Sequence, residues 1–121
     1  MKINRFEDIE SWKVARMLVK EVYGFLVSCQ DRGYKDQLQR AAVSVMSNIA
    51  EGFERGSNRE FVQYLVIARG SVAEVKSLAY VGKDVGYLDK ATFDKVLERC
   101  MALLNLLNGF ITFLKASDRK R

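Results

Sequence analysis

Apolar residues recur along this chain at intervals of three and four and nowhere alternate strictly, so the pattern predicts helices and no strands. Ile9, Trp12, Ala15, Val19, Val22 and Leu26 form the first seam. Behind the capping-box pattern Asn4-Arg5-Phe6-Glu7 they predict a helix over about 5–29. Asp31-Arg32-Gly33 reads as a break. Leu38, Ala42, Val45 and Ile49 predict a second helix over about 34–55, fraying around Gly52 and Gly56. Ser57-Asn58-Arg59-Glu60 is a second capping box and opens a third helix, about 58–85, with the seam Phe61, Leu65, Ala68, Val72, Val75 and Ala79. Gly86 ends it, and Asp89 is placed to N-cap a fourth helix over about 89–116. That helix carries Phe93, Leu97, Cys100, Leu104, Leu107, Ile111 and Leu114 as its stripe. Four amphipathic helices with three short connections predict an all-α, antiparallel up-down-up-down four-helix bundle over 1–114, followed by a basic tail, 115–121.

Two helices carry more apolar surface than one bundle needs. The third has a second seam, Ile67, Ser71, Glu74, Leu78, Val81 and Val85, about 100° round from the first. On the fourth, Leu106 and Phe113 lie roughly opposite the main stripe, beside Ala102 and Gly109. Isolated surface apolar residues are ordinary. Aligned ones flanked by small residues read as a docking strip, so a homo-oligomer is expected, with Ile67, Leu78, Val81, Leu106 and Phe113 at its interface.

Composition removes several chemistries. The 121 residues, 49% apolar and 29% charged, suit one globular domain. Without a histidine there is no imidazole base, no histidine triad and no Glu-x-x-His metal site. Cys29 and Cys100 alone cannot complete a zinc site and read as reduced thiols; no cofactor and no metal is expected. Met1 to Arg5 lack an apolar signal region, and no stretch approaches eighteen uncharged apolar residues. The chain is therefore expected in the cytoplasm, with no membrane partner.

The net charge of +5 is unevenly spread. Residues 1–60 balance ten basic against nine acidic side chains, whereas residues 61–121 carry ten against six. Lys115, Arg119, Lys120 and Arg121 face only Asp118, a basic tag suited to an anionic partner such as nucleic acid, or simply a solubilising end.

Polar residues inside the apolar stretches are the candidate site. Ser44, Asn48, Glu51 and Arg55 share a sector of about 60° on the second helix. On the third, Ser71 and Glu74 interrupt the second seam. A carboxylate flanked by Ile67 and Leu78 needs a partner if buried, and Arg40, Arg55 or Asn48 could supply it. A buried register-fixing network is the first reading; a ligand or RNA site is the second. No nucleophile–base couple or metal-ligand set is present, and Gly52 and Gly70-Ser71 lack the strand that a phosphate-cradling loop follows, so a non-enzymatic protein is expected. Gly70 reads as a point of close helix approach. The five tyrosines and Trp12 read mostly as core packing rather than base-stacking platforms.

The run Asp36-Gln37-Leu38-Gln39-Arg40 through Ser47-Asn48-Ile49-Ala50-Glu51-Gly52, followed by Gly70-Ser71-Val72-Ala73-Glu74, resembles the 23S rRNA intervening-sequence proteins, encoded within insertions in some bacterial rRNA genes. The likeness covers essentially the whole chain, from Phe6-Glu7-Asp8-Ile9 and Trp12 to Gly86-Tyr87-Leu88. It implies an antiparallel four-helix bundle assembled into a ring, usually a pentamer. It also implies kinship with accessory proteins of diversity-generating retroelements, which bind nucleic acid and a reverse transcriptase. Gln37, Arg40, Ser44, Asn48, Glu51, Gly52, Gly70, Ser71 and Glu74 are the hallmark positions carried over; no catalytic residue comes with them. Members usually carry proline where this chain has Met46, so a proline kink in the second helix is not implied here. The function expected is an oligomeric bundle that binds RNA or other nucleic acid through backbone electrostatics, and the rival is a protein-interaction scaffold.

Overall fold

The computed structural model describes residues 3–119, with side chains as far as Ser117. A 3-10 turn, Phe6–Asp8, precedes four helices: α1 (Glu10–Phe25), α2 (Arg32–Glu54), α3 (Asn58–Asp84) and α4 (Lys90–Arg119). Each helix packs on its neighbour in sequence and α1 closes against α4, while the diagonal pairs α1–α3 and α2–α4 stay apart. The result is the four-cornered up-down bundle that the seams predict. α4 runs through Lys115 to Arg119, so the first part of the basic tail continues the helix. Lys120 and Arg121 lie outside the described residues, as does the side chain of Arg119.

Three of the four starts are fixed by side-chain caps. Asp31 accepts the Tyr34 N–H at 3.1 Å, Ser57 accepts the Glu60 N–H at 3.2 Å, and Asp89 accepts the Thr92 N–H at 2.8 Å. Gly56 and Gly86, both at φ 87°, make the turns out of α2 and α3. The capping box expected at Asn4 does not form. Arg5 instead pairs with Glu7 at 3.0 Å, the chain turns once, and α1 begins at Glu10 behind Ile9, which offers no side-chain cap. Arg32 and Gly33 belong to α2 rather than to a break, because Asp31 caps the helix at once.

α2 does not fray at Gly52 but runs on to Glu54. A Cβ at Gly52 would stand 2.6 Å from the Tyr64 Cβ and 2.9 Å from Phe61 Cδ1, so the glycine is there for a close α2–α3 crossing. At the other end of the same interface a glycine makes room for side chains instead. A Cβ at Gly82 would meet the Tyr34 ring and Leu88, and into that space the Tyr34 hydroxyl reaches, donating to the Leu78 carbonyl at 2.6 Å.

Most of the predicted core is observed. All four seam residues of α2 and all six of α3 are buried. In α4, Val96 and Leu103 take the buried places expected for Leu97 and Leu104, which are only half-buried on the flank. The strict 4-3 stripe points at one neighbour, whereas α4 packs between two. Leu18 is fully buried in α1, and Trp12 is half-buried with its edge against Phe6. Tyr34 alone among the tyrosines is core; Tyr23, Tyr80 and Tyr87 stand exposed. Arg99 closes α4 on α1 with a two-pronged pair to Glu21, at 3.1 and 2.7 Å. α4 is also long and apolar enough to cross a membrane by length and composition alone, which the expectation of no such stretch did not anticipate. Here Cys100, Leu103, Leu107, Ile111 and Leu114 face the core.

Burial pushes the Tyr34 phenol up to about 12. The folded protein favours the neutral phenol, so this contribution is full below the ordinary value of 10.0 and is lost as pH rises from there towards 12. Tyr34→Phe is expected to cost about 1 kcal/mol at neutral pH through the lost bond to Leu78. It should also flatten the decline in stability across that alkaline window, as read by denaturant melts of both proteins at several pH values.

Candidate functional site

The polar residues of α2 divide between a hydrogen-bonded knot and an open cleft. Ser44 Oγ lies 2.8 Å from Ser71 Oγ across the α2–α3 seam. The Asn48 amide donates back to the Ser44 carbonyl at 2.8 Å and to its hydroxyl at 3.0 Å. All three side chains are half-buried, and the knot sits midway between the crossings at Gly52 and Gly82. It ties one register of α2 on α3.

Glu74 is not part of it. The carboxylate is exposed and makes no hydrogen bond or ion pair among the described residues, which corrects the expectation of a buried, partnered glutamate. The reason is geometric: three positions on from Ser71, α3 has turned about 60° away, so Ser71 meets α2 while Glu74 swings past the seam to solvent. There it faces Gly33, Asp36, Gln37, Arg40 and Ser44 around an open cleft of about 580 Å³. Arg40 and Ser44 also border a second cleft with Tyr23, Asp36, Gln39 and Val43, so Arg40 stands on the ridge between the two. Arg40, exposed, is free to meet an anionic or polar partner.

The remaining hallmark residues lie elsewhere. Arg55 donates to the Tyr64 hydroxyl and lies over that ring, 5.0 Å from its centroid, rather than meeting Glu74. Glu51 is exposed at the far end of α2, beside Phe6, Ala50, Glu54 and Arg55. Gly52 is packed into the crossing. Gly70 brings no helix close within the chain: nothing lies within 4 Å of where its Cβ would be. The structure therefore gathers Gln37, Arg40, Ser44 and Glu74 in one cleft and Ser44, Asn48 and Ser71 in one knot, and leaves Glu51, Arg55 and Gly70 apart.

The expected interface residues are likewise divided. Ile67 is 52% and Val81 44% exposed on α3, whereas Leu78 is buried. Leu106, half-buried, and Phe113, 44% exposed, do not form a flat strip but wall a cleft with Ile3, Ile9 and Ser11. Lys115 is exposed near the end of α4. Among the described residues no group of acidic, cysteine or histidine side chains could hold a metal. Both cysteines are free; burial raises the Cys100 thiol to about 11, and Cys29 is half-buried.

Following the apolar seams overlooked one feature. Lys13, Arg16 and Lys20 are all exposed and fall within a sector of about 60° on the outward face of α1. No carboxylate shares that sector, because Glu10 lies to one side and Glu21 is taken by Arg99 and Lys95. The 3-4 spacing of the cations was the available signal.

The knot and the cleft predict opposite responses to alanine. Ser71→Ala removes a partner from a half-buried hydroxyl and should cost about 0.5–1.5 kcal/mol. Glu74→Ala should change stability by less than about 0.5 kcal/mol. Urea melts of the two variants beside the parent check both values.

The family model described as 23S rRNA-intervening sequence protein matches residues 7–109. No match is found among curated proteins. A crystal structure of a protein of unknown function from the S23 ribosomal protein family of Bacteroides thetaiotaomicron superposes with a TM-score of 0.78. It is 20% identical, over 84% of this chain and 97% of that one, and so attests to the fold. Neither match bears on kinship with retroelement accessory proteins. With the family match extending from the turn before α1 deep into α4, the chain belongs to the 23S rRNA-intervening sequence protein family.

Proposed function

We propose that the chain acts as a non-enzymatic, cytoplasmic homo-oligomer that binds RNA or other nucleic acid through the phosphate backbone. One observation carries the reading: the exposed surface is divided by charge. Between Gln63 and Val81 the outward face of α3 exposes Val66, Ile67, Gly70 and Ala73, with Glu74 its only exposed charge. The outward face of α4 exposes Met101, Ala102, Asn105, Gly109 and Thr112, and no charged residue occurs from Cys100 to Leu114. Contiguous surface of this kind is what assembly buries. A mid-helix glycine with open space around it costs about 1 kcal/mol relative to alanine, and contact with another subunit gives Gly70 a reason the single chain does not.

α1 has the opposite character. Its stripe of Lys13, Arg16 and Lys20, flanked by exposed Met17 and Tyr23, presents cations without competing carboxylates, as phosphate contacts require. Assembly multiplies the effect. In a pentamer, the number the family resemblance implies, five chains at +5 present +25 to a polyanion. A reverse transcriptase or other protein partner would need a surface the assembly leaves free, and the cleft that Arg40 borders with Asp36, Gln39 and Val43, away from Glu74, offers one.

Two measurements on one set of proteins test the reading. RNA affinity should fall steeply with salt, and replacing Lys13, Arg16 and Lys20 with Gln should reduce the slope by about two to three, close to one per lost contact. Light scattering should give a parent mass several times 13.8 kDa, and Ile67→Asp with Val81→Asp should lower it while helical content persists. A 13.8 kDa particle at micromolar concentration contradicts the assembly, and a salt slope untouched by the triple change contradicts the α1 contact.

A further inference from the structure

We infer that the cleft between α1 and α2 takes an unpaired base of single-stranded RNA, stacked on Tyr23, which presupposes the backbone binding proposed above. Tyr23, 45% exposed, lines an open cleft of about 460 Å³ with Asp36, Gln39, Arg40 and Val43. Every other tyrosine, and Trp12, is occupied. Tyr34 donates to the Leu78 carbonyl, and Tyr64 is covered by Arg55. Tyr80 meets the Phe93 ring edge-on, Tyr87 packs on Tyr34 and donates to Asp31, and Trp12 packs on Phe6. Tyr23 alone of these has no aromatic, cationic or hydrogen-bonding partner among the described residues. An exposed ring with a free face is what a nucleobase stacks on.

The neighbours of the ring decide which part of the RNA sits there. Arg16, Lys20 and Tyr23 are all exposed and follow at a 4-3 spacing within a sector of about 60°, so the cation stripe leads to the ring. Lys20 and Tyr23 are about 5 Å apart along the helix axis, so a phosphate held at Lys20 leaves its base within reach of the ring. Across the cleft, the Gln39 amide both donates and accepts, and Arg40, exposed and outside every ion pair among the described residues, offers a planar set of donors. Asp36, also exposed, repels a phosphate but accepts the N–H groups of a base edge. The stripe therefore suits the backbone and the cleft suits a base. Within a duplex the base faces are stacked on one another and cannot reach Tyr23, so the site selects single strands. Of the two occupants open to this cleft, a protein partner and RNA, the free ring beside the cations favours RNA.

Fluorescence anisotropy with a short unstructured oligoribonucleotide, alone and annealed to its complement, tests this on the full chain. Charge alone favours the duplex, whose phosphates are denser and whose salt slope per contact is steeper, so a preference for the single strand reports base contact. The expected result is tighter binding of the single strand. Tyr23→Leu should weaken that binding about tenfold and Tyr23→Phe hardly at all, with duplex affinity and salt slope unchanged in both. The position is exposed, and circular dichroism should show both variants folded as the parent is. A duplex bound as tightly as the single strand, or single-strand affinity unmoved by Tyr23→Leu, overturns the proposal and leaves the cleft to a protein partner. Failure of the backbone reading looks different: neither form of RNA binds at low salt, and this proposal falls with it.

Discussion

The close crossing of α2 on α3 is the constraint on which the remaining geometry rests. It is made at three levels of one antiparallel register: Gly52 beneath Phe61 and Tyr64, the Ser44–Ser71 pair at the middle, and Gly82 beneath Tyr34. At Gly52 the helices stand too near for a methyl group, and at Gly82 the Tyr34 hydroxyl and Leu88 already fill its place, so a slip of one turn would put side chains where only glycine fits. The hydroxyl knot between them would lose its partners in the same slip. Apolar packing alone specifies register less sharply than these three contacts do.

Once that register is fixed, so is the rotation of α3 about its own axis, and with it what the protein shows to solvent. Val72 and Val75 point into the core, Ser71 meets α2, and Glu74, Ile67 and Val81 face outward. Gln37, Arg40 and Glu74 are then brought round a single cleft. Thus one interface accounts for both the polar hallmark residues and the outer face of α3 proposed for assembly, on which Glu74 is the only exposed charge. The α1–α4 closure through Arg99 and Glu21 completes the bundle and withdraws Glu21 from competition with the cations of α1.

The fold was legible in the sequence because amphipathic periodicity and caps at Ser57 and Asp89 act locally. What escaped was set by tertiary contact. Gly52 looks like a helix end until Tyr64 is known to lie against it. The stripe of α4 shifts to Val96 and Leu103 because two neighbours, not one, compete for that helix. Glu74 looked buried because the residues flanking it in sequence are apolar, yet Ile67 is itself exposed. Of the candidate site, the pairing of Ser44 with Asn48 was visible as a shared sector on α2; its partner Ser71 depended on the helix crossing.

The central claim is that the two kinds of exposed face have different occupants, subunits on α3 and α4 and nucleic acid on α1. Hydroxyl-radical footprinting of the assembled protein, with and without RNA, separates them directly. The account predicts that Ile67, Val81 and Met101 are shielded in both conditions, whereas Met17 and Tyr23, beside the cations of α1, become shielded only when RNA is added. Shielding of Met17 and Tyr23 in the RNA-free protein, with Ile67 and Met101 freely oxidised, would contradict it.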